Sequence, residues 1–262
     1  MTQTPFENPI KKMLREGKKT AGAWCHIASP STVEILSRAG FDWLMIDMEH
    51  GPGDIMTLTN QLRAMNGSGA VPLVRPPWND FVIIKRILDA GAAGLLIPYV
   101  NDRAQAQAAV RACKYPLAGI RGVAGIPRAP GYGHNSMDYM NRANEEIFIM
   151  TAVETPEALD NLDGILSVEG LDAIFIGPAD LSSNMGHFCD PSHSEVQEAI
   201  RTIESKVHKS GKALATVTTS WEQARTLYER GYNMLMLMAD GVSLAKLANQ
   251  TVARFQQEFP NR

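Results

Sequence analysis

Short apolar runs recur along the chain, and segments of helical periodicity separate them. The runs cover residues 21–27, 43–48, 71–75, 94–98, 147–154, 173–177, 212–218 and 234–240. They are short and often bounded by Gly or Pro, as strands of a parallel sheet covered on both faces should be. Between them, residues 54–65 carry Ile55, Leu58, Leu62 and Met65 on one helical stripe, and residues 31–39 carry Val33, Leu36 and Ala39 in the same way. Residues 79–90 open on Asn79-Asp80, a capping signal, and run through Ile83, Ile84, Ile87 and Leu88. Further helices are expected over 102–113, 156–166, 194–209, 220–230 and 242–255. Gly40, Gly91, Gly211 and Gly231 stand just past the ends of four helices, where a left-handed cap favours glycine.

Eight strand–helix repeats predict an α/β protein of the (β/α)8 TIM-barrel type, a single domain over residues 1–262. A helix is expected at about 5–17 and the last one at about 242–255. The rival is an open, doubly wound sheet. Its glycine fingerprint is missing, because the first strand runs into CHIASPS rather than G-x-G-x-x-G. The long connection 115–146 contains GIRGVAGIPRAPGYG, and a loop of that length is usually functional.

Composition narrows the classes. Lys and Arg number 25 against 28 Asp and Glu, so no basic nucleic-acid surface is expected. With 45% hydrophobic and 20% charged residues in 262, the chain folds rather than staying disordered. Cys25, Cys113 and Cys189 form neither a disulfide framework nor a zinc knuckle. No apolar window reaches membrane-spanning length, and residues 1–20 hold no signal-length apolar core. A cytoplasmic protein without membrane or nucleic-acid partners is expected. The basic stretch 11–19 reads as a solvated helix face.

In a barrel the chemistry sits at the C-terminal ends of the strands. There the sequence places Asp47, Glu49, His50, Arg75, Glu154 and Asp180. Any one of them is explained by a salt bridge or a cap. Together on one rim they call for a divalent cation and an anionic substrate. Glu154 and Asp180 are hard oxygen donors, which favours Mg²⁺ or Mn²⁺. A 2-oxo acid would chelate such an ion, which would polarise the keto group and stabilise an enolate. Arg75 would add positive charge to the developing oxyanion, and His50 is the side-chain type that exchanges protons near neutral pH. Lys85, Lys114 and Lys212 fall in helices or at the wrong strand end, against an imine mechanism.

At these residues the chain resembles the HpcH/HpaI family of class II, metal-dependent pyruvate aldolases. The matching stretches are AGFDWLMIDMEH (39–50), VRPPWND (74–80), IIKRILDAGAAGLLIP (83–98), YPLAGIRGV (115–123) and VEGLDAIFIGPADLSSNMG (168–186). The resemblance implies reversible aldol cleavage of a 4-hydroxy-2-oxo acid to pyruvate and an aldehyde. It implies Glu154 and Asp180 as metal ligands, with Co²⁺ as a further option beside Mg²⁺ and Mn²⁺. It makes His50 the base and Arg75 the transition-state stabiliser. Asp89, which the spacing alone would leave as a surface charge, becomes an acid that acts on the histidine across a subunit contact. Ala179, through its main chain, and Asp180 would bind the pyruvate carboxylate, and Trp24, Ala152 and Gly177 join the substrate site. Family members are hexamers, trimers of dimers, that exchange the last helix, so a homo-oligomer is expected.

The chain departs from the family at Met48, where glycine is common, at Ala152, where glutamine is common, and at Met238, which replaces a glycine. The departures imply a more apolar acceptor pocket. An acyl-CoA lyase of a related branch is the alternative activity, and a non-catalytic ligand-binding homologue is the alternative class. His26 is read as a second proton carrier or a structural histidine. His134, His187 and His193 fall in loops, where His187 is placed to face substrate or solvent. Arg121 and Arg128 are read as a carboxylate clamp or as surface charges. The Met234, Met236 and Met238 series is read as core.

Overall fold

All eight apolar runs become strands, and every neighbour pairs in parallel. The computed structural model describes residues 6–260. The strands are β1 (Thr20–Cys25), β2 (Trp43–Asp47), β3 (Val71–Arg75), β4 (Gly94–Ile97), β5 (Phe148–Val153), β6 (Ala173–Ile176), β7 (Ala213–Val217) and β8 (Met234–Ala239). They close in sequence order, with β8 pairing back onto β1. This is the expected (β/α)8 barrel.

Side chains alternate along each strand, and the alternation sorts the core into two parts. Trp24, Trp43, Met45, Leu73, Leu96, Phe148, Met150, Phe175, Met234 and Met236 fill the barrel interior as one buried cluster. Their neighbours Ala23, Leu44, Ile46, Val74, Leu95, Ile149, Ile174 and Leu235 belong to the other cluster, which packs the barrel against its helices. Gly22 is required by this packing, because a Cβ there would lie 2.4 Å from the Trp43 indole.

The helices are α1 (Pro9–Arg15), α2 (Pro30–Ser37), α3 (Ile55–Ala64), α4 (Phe81–Ala90), α5 (Arg103–Cys113), α6 (Ser136–Glu146), α7 (Pro156–Asp160), α8 (Leu162–Leu166), α9 (Pro178–Asn184), α10 (Ser194–Ser210), α11 (Trp221–Glu229) and α12 (Asp240–Glu258). α1 seats Ile10, Met13 and Leu14 against the interior cluster. Residue 5, where the expected first helix begins, lies outside the described residues. The capping signal at Asn79-Asp80 is realised at Asp80, and three further helices are capped in the same way. Asp54, Asp80, Asp102 and Thr155 each accept a backbone N–H from the first turn of the helix they open.

Three elements differ from expectation. The 115–146 connection contains α6, whose polar sequence buries little more than Tyr139 and Ala143 and so shows no strong stripe. The helix expected over 156–166 is two short helices that share Asn161 as a cap. α9 follows β6 after a single glycine and is not among the expected helices.

α12 has 19 residues, of which Asp240 alone is buried. Val242, Leu244, Leu247 and Val252 are exposed along it. No helix among the described residues is long and apolar enough to cross a membrane.

Candidate active site

A cavity of about 240 Å³ opens at the C-terminal end of the barrel. Its walls are Trp24, His26, His50, Arg75, Glu154, Phe175, Gly177, Pro178, Ala179, Asp180 and Val217. Seven of the sequence-derived site residues (Trp24, His50, Arg75, Glu154, Gly177, Ala179 and Asp180) are therefore gathered on one surface. No lysine is in that wall. Lys11, Lys114 and Lys212 line a different cleft, together with residues at the starts of β5 and β7, and Lys212 Nζ donates to the carbonyls of Val168 and Leu171. A pocket lysine for imine chemistry is absent from the wall, as the sequence indicated.

Arg75 ends β3 and Asp47 ends β2, and the two are register partners. The guanidinium grips the carboxylate at both ends, Nε to Oδ1 at 2.9 Å and Nη2 to Oδ2 at 2.7 Å. Its remaining Nη1 meets Glu49 Oε2 at 2.8 Å, and its face lies 4.5 Å from the centre of the Trp24 ring. This fork-to-fork geometry fixes the guanidinium plane. Burial alone would raise the Asp47 carboxyl, but hydrogen bonds from His26 and Arg75 and the arginine charge hold it well below the usual carboxylate range. Asp47 is thus a partner of Arg75 rather than a free acid on the rim. His26 Nε2 lies 3.1 Å from Asp47 Oδ2, and its ring stacks on Trp24 at 5.3 Å. Asp240 sets the position of His26 from behind, accepting the backbone N–H groups of His26 and Ile27.

The opposite wall is acidic. Glu154 follows β5 and is almost wholly buried. Burial, with added repulsion from Asp180 and Glu49, pushes its carboxyl up to about 7 against the opposing pull of the Tyr99 N–H and Arg75. Tyr99 donates that N–H to Glu154 Oε2 at 3.2 Å from a left-handed backbone, φ 53°. Such strain in a non-glycine residue persists only where the surroundings enforce it. Gly177 lets the carboxylate lie close, since a Cβ there would come within 2.7 Å of Glu154 Oε1. The Asp180 carboxylate, in the first turn of α9, makes no hydrogen bond among the described residues.

A carboxyl raised by burial and further by neighbouring carboxylates, beside a second one with no donor, is a site short of positive charge. The donors are hard oxygens, which suits Mg²⁺, Mn²⁺ or Co²⁺. As candidate ligands, the two carboxylates would leave room for a chelating substrate and water.

His50 reaches the cavity with its side chain two-thirds exposed. Its Nε2 is 3.9 Å from Glu49 Oε2, too far for a hydrogen bond. Asp89 is not in the wall. It lies on α4 with Oδ1 bound to Arg121 Nη2 at 2.8 Å. Arg121 is fully buried between Tyr115 and Tyr139, and Arg128 is tied to the carbonyls of Leu62 and Ala90. Within the chain, then, Arg121 is buried, Arg128 is half-buried, and neither lines the cavity. Ala152 is buried in the barrel interior with Trp24 and Phe175 and forms no part of the wall.

Spacing missed the clamp on Arg75, the Tyr99 amide and the Phe175 wall. The first was within reach, because residues at equal heights on adjacent parallel strands must face each other.

The sequence profile of the HpcH/HpaI aldolase/citrate lyase family matches residues 20–246. A curated Escherichia coli protein, 4-hydroxy-2-oxo-heptane-1,7-dioate aldolase, is 41% identical over 250 residues, 95% of each chain. The crystal structure of an HpcH/HpaI aldolase/citrate lyase family protein from Burkholderia cenocepacia superposes with a TM-score of 0.91 at 34% identity, covering 95% of this chain and 99% of that one. An HpcH/HpaI aldolase from Desulfitobacterium hafniense gives 0.89 at 30% identity, covering 97% of both. Sequence, fold and covered length agree, and the chain belongs to the HpcH/HpaI aldolase/citrate lyase family.

Proposed function

We propose that this enzyme is a class II pyruvate aldolase that cleaves a 4-hydroxy-2-oxo acid reversibly to pyruvate and an aldehyde. The observation that carries this reading is the single cavity in which Glu154 and Asp180 face the clamped Arg75, with His50 at the mouth. Its volume of about 240 Å³ suits a small oxo acid better than a bulky thioester. The 41% identity to a curated aldolase supports the same reaction class.

A divalent cation held by Glu154 and Asp180 would supply Lewis acidity at the 2-oxo group. The chain's own residues do the rest. Cleavage removes the proton of the 4-hydroxyl, breaks the C3–C4 bond and sends its electrons toward the 2-oxo oxygen. His50 takes that proton at the open mouth, where the aldehyde half leaves. Arg75, already oriented by Asp47, Glu49 and Trp24, presents positive charge to the oxygen without reorganising. The backbone at Ala179, in the first turn of α9, receives the substrate carboxylate. Trp24 lines the same cavity, and its Nε1 is a buried donor with no partner among the described residues.

Among the described residues no acid hydrogen-bonds to His50, while Asp89 Oδ2 is left free by Arg121. We assign that acid to Asp89 of a second copy. The exposed apolar face of α12 is the surface through which copies exchange this helix, building the hexamer.

Deuterium exchange at pyruvate C3, followed by NMR, tests the reading without knowledge of the aldehyde. Exchange is expected with Mg²⁺ or Mn²⁺, and is lost with EDTA and in Glu154→Ala. Folded protein with no exchange under any metal would overturn it. Succinic semialdehyde, the four-carbon fragment of a heptanedioate, heads the acceptor screen that follows.

A further inference from the structure

The Asp47 carboxylate is the meeting point of three strand ends. Its Oδ1 accepts Arg75 Nε at 2.9 Å and the Glu49 N–H at 3.0 Å. Its Oδ2 accepts Arg75 Nη2 at 2.7 Å and lies 3.1 Å from His26 Nε2. An ionised carboxylate only accepts, so His26 Nε2 carries the hydrogen of that contact. Without it, Oδ2 would keep Arg75 as its one donor among the described residues.

His26 is itself held in place. Asp240, the buried first residue of α12, accepts its backbone N–H at 2.9 Å. Its ring runs nearly parallel to that of Trp24, with 7° between the planes and 5.3 Å between the centroids. The Arg75 guanidinium lies 4.5 Å from the centre of the Trp24 ring. The contacts Trp24–His26–Asp47–Arg75 therefore close on themselves across β1, β2 and β3. Glu49, the other acid on Arg75, stands two residues after Asp47 on the same strand end. Among the described residues, His26 is the only side chain that hydrogen-bonds to the Asp47–Arg75 pair from another strand. Two side chains joined only to each other can swing as a unit about their stems. A bond from a third strand opposes that motion.

We propose that His26 is a positioning residue for the aldolase reaction. By donating Nε2–H to Asp47 it locks that carboxylate, and through it keeps the Arg75 guanidinium aimed at the oxygen where enolate charge develops. This deepens the aldolase reading and rests on it. Preorganised charge stabilises a transition state only if it need not move during the reaction. The role runs through Asp47 and calls for no proton transfer by His26. Proton exchange with substrate stays with His50.

Two substitutions separate the hydrogen bond from the ring. His26→Gln keeps an N–H donor near the place of Nε2 and loses the imidazole. His26→Phe keeps a ring on Trp24 and loses the donor. Each is assayed for pyruvate C3 exchange with Mg²⁺ and, without turnover, for calorimetric binding of oxalate, an analogue of the pyruvate enolate. His26→Phe should slow exchange at saturating pyruvate about tenfold or more, with the pyruvate KM within about threefold of wild type. Its oxalate affinity should fall by a similar factor, because the loss is specific to the enolate-like charge. His26→Gln should stay within about threefold of wild type in both assays. Adding His26→Phe to Asp47→Asn should slow exchange no further, since both act on one guanidinium. Should His26→Phe misfold by circular dichroism, His26→Leu takes its place. Wild-type exchange and oxalate affinity in the folded variant without the donor would overturn the proposal. So would a His26→Gln protein as impaired as His26→Phe, because the imidazole itself would then be what the reaction needs. A wild type that exchanges no pyruvate with any metal overturns the aldolase reading instead, and the oxalate affinities still decide whether His26 holds the clamp.

Discussion

Gly177 and Glu154 are in contact through an absence: a Cβ on Gly177 would stand 2.7 Å from the Glu154 side chain. The neighbour that would have to give way is a nearly wholly buried carboxylate, held from the other side by the Tyr99 N–H. Gly177→Ala should therefore displace the candidate metal ligand while leaving the barrel folded. The expected result is Mn²⁺ affinity lower by about tenfold or more, read by calorimetry, with circular dichroism unchanged. Wild-type Mn²⁺ affinity in the variant would remove Glu154 from the metal site.

The pair of Asp47 and Arg75 makes a prediction about acid stability. The Asp47 carboxyl is held below its ordinary value in the folded protein. Its stabilising contribution is thus fully present above the unfolded carboxylate range, about pH 4, and is lost as pH falls from there through the folded value. Asp47→Asn should melt lower at pH 7, since leaving a buried arginine half-paired costs about 3–5 kcal/mol. For a domain of this size that is a Tm drop of roughly 10 °C. The variant should also lose part of the wild-type decline in Tm between about pH 4 and pH 2. Parallel Tm curves for the two proteins across that range would rule out this role for the pair.

If Asp89 serves His50 across a subunit contact, two inactive proteins should restore one another. Co-expressed His50→Ala and Asp89→Asn chains form some interfaces in which an intact His50 meets an intact Asp89. Pyruvate exchange should recover to a clear fraction of wild type in the mixed oligomer, while each variant alone stays low. No recovery in oligomers shown to be mixed would place the dyad within one chain or dispense with it.

The exposed apolar positions of α12 predict assembly. Leu244→Glu with Leu247→Glu sets two charges into the surface assigned to a neighbouring copy. Light scattering after size exclusion should show a smaller species than wild type. An unchanged mass would exclude this face from the assembly. Exposure of the same apolar positions in a lone chain costs little once charged, so the barrel itself should stay folded.

Much of this architecture is legible along the chain. Runs such as 43–46 and 173–176 are apolar at every position because parallel strands are covered on both faces, and they alternate with helical stripes such as 54–65. Once eight such repeats close, the C-terminal end of each strand must face the same mouth. Glu154, Asp180, Arg75 and His50 then come together with no further information, because a strand's direction fixes where its last residue goes. Local chemistry also settled the caps at Asp54, Asp80 and Asp102, where the side chain meets a backbone amide two or three residues on.

Partner choice lay beyond the chain's one-dimensional pattern. Asp47 and Glu154 look alike in sequence, each a carboxylate at or just past a strand end. Packing makes one the clamp of an arginine and leaves the other short of positive charge, and it drives their carboxyls in opposite directions. Arg121 and Asp89 are 32 residues apart, and nothing local marks them as a pair. The stacked His187 and His193 needed the turn between α9 and α10 to bring two loop residues face to face. Periodicity reports which side of an element is buried. Which polar group meets which depends on distances between elements, and these exist only once the barrel has closed.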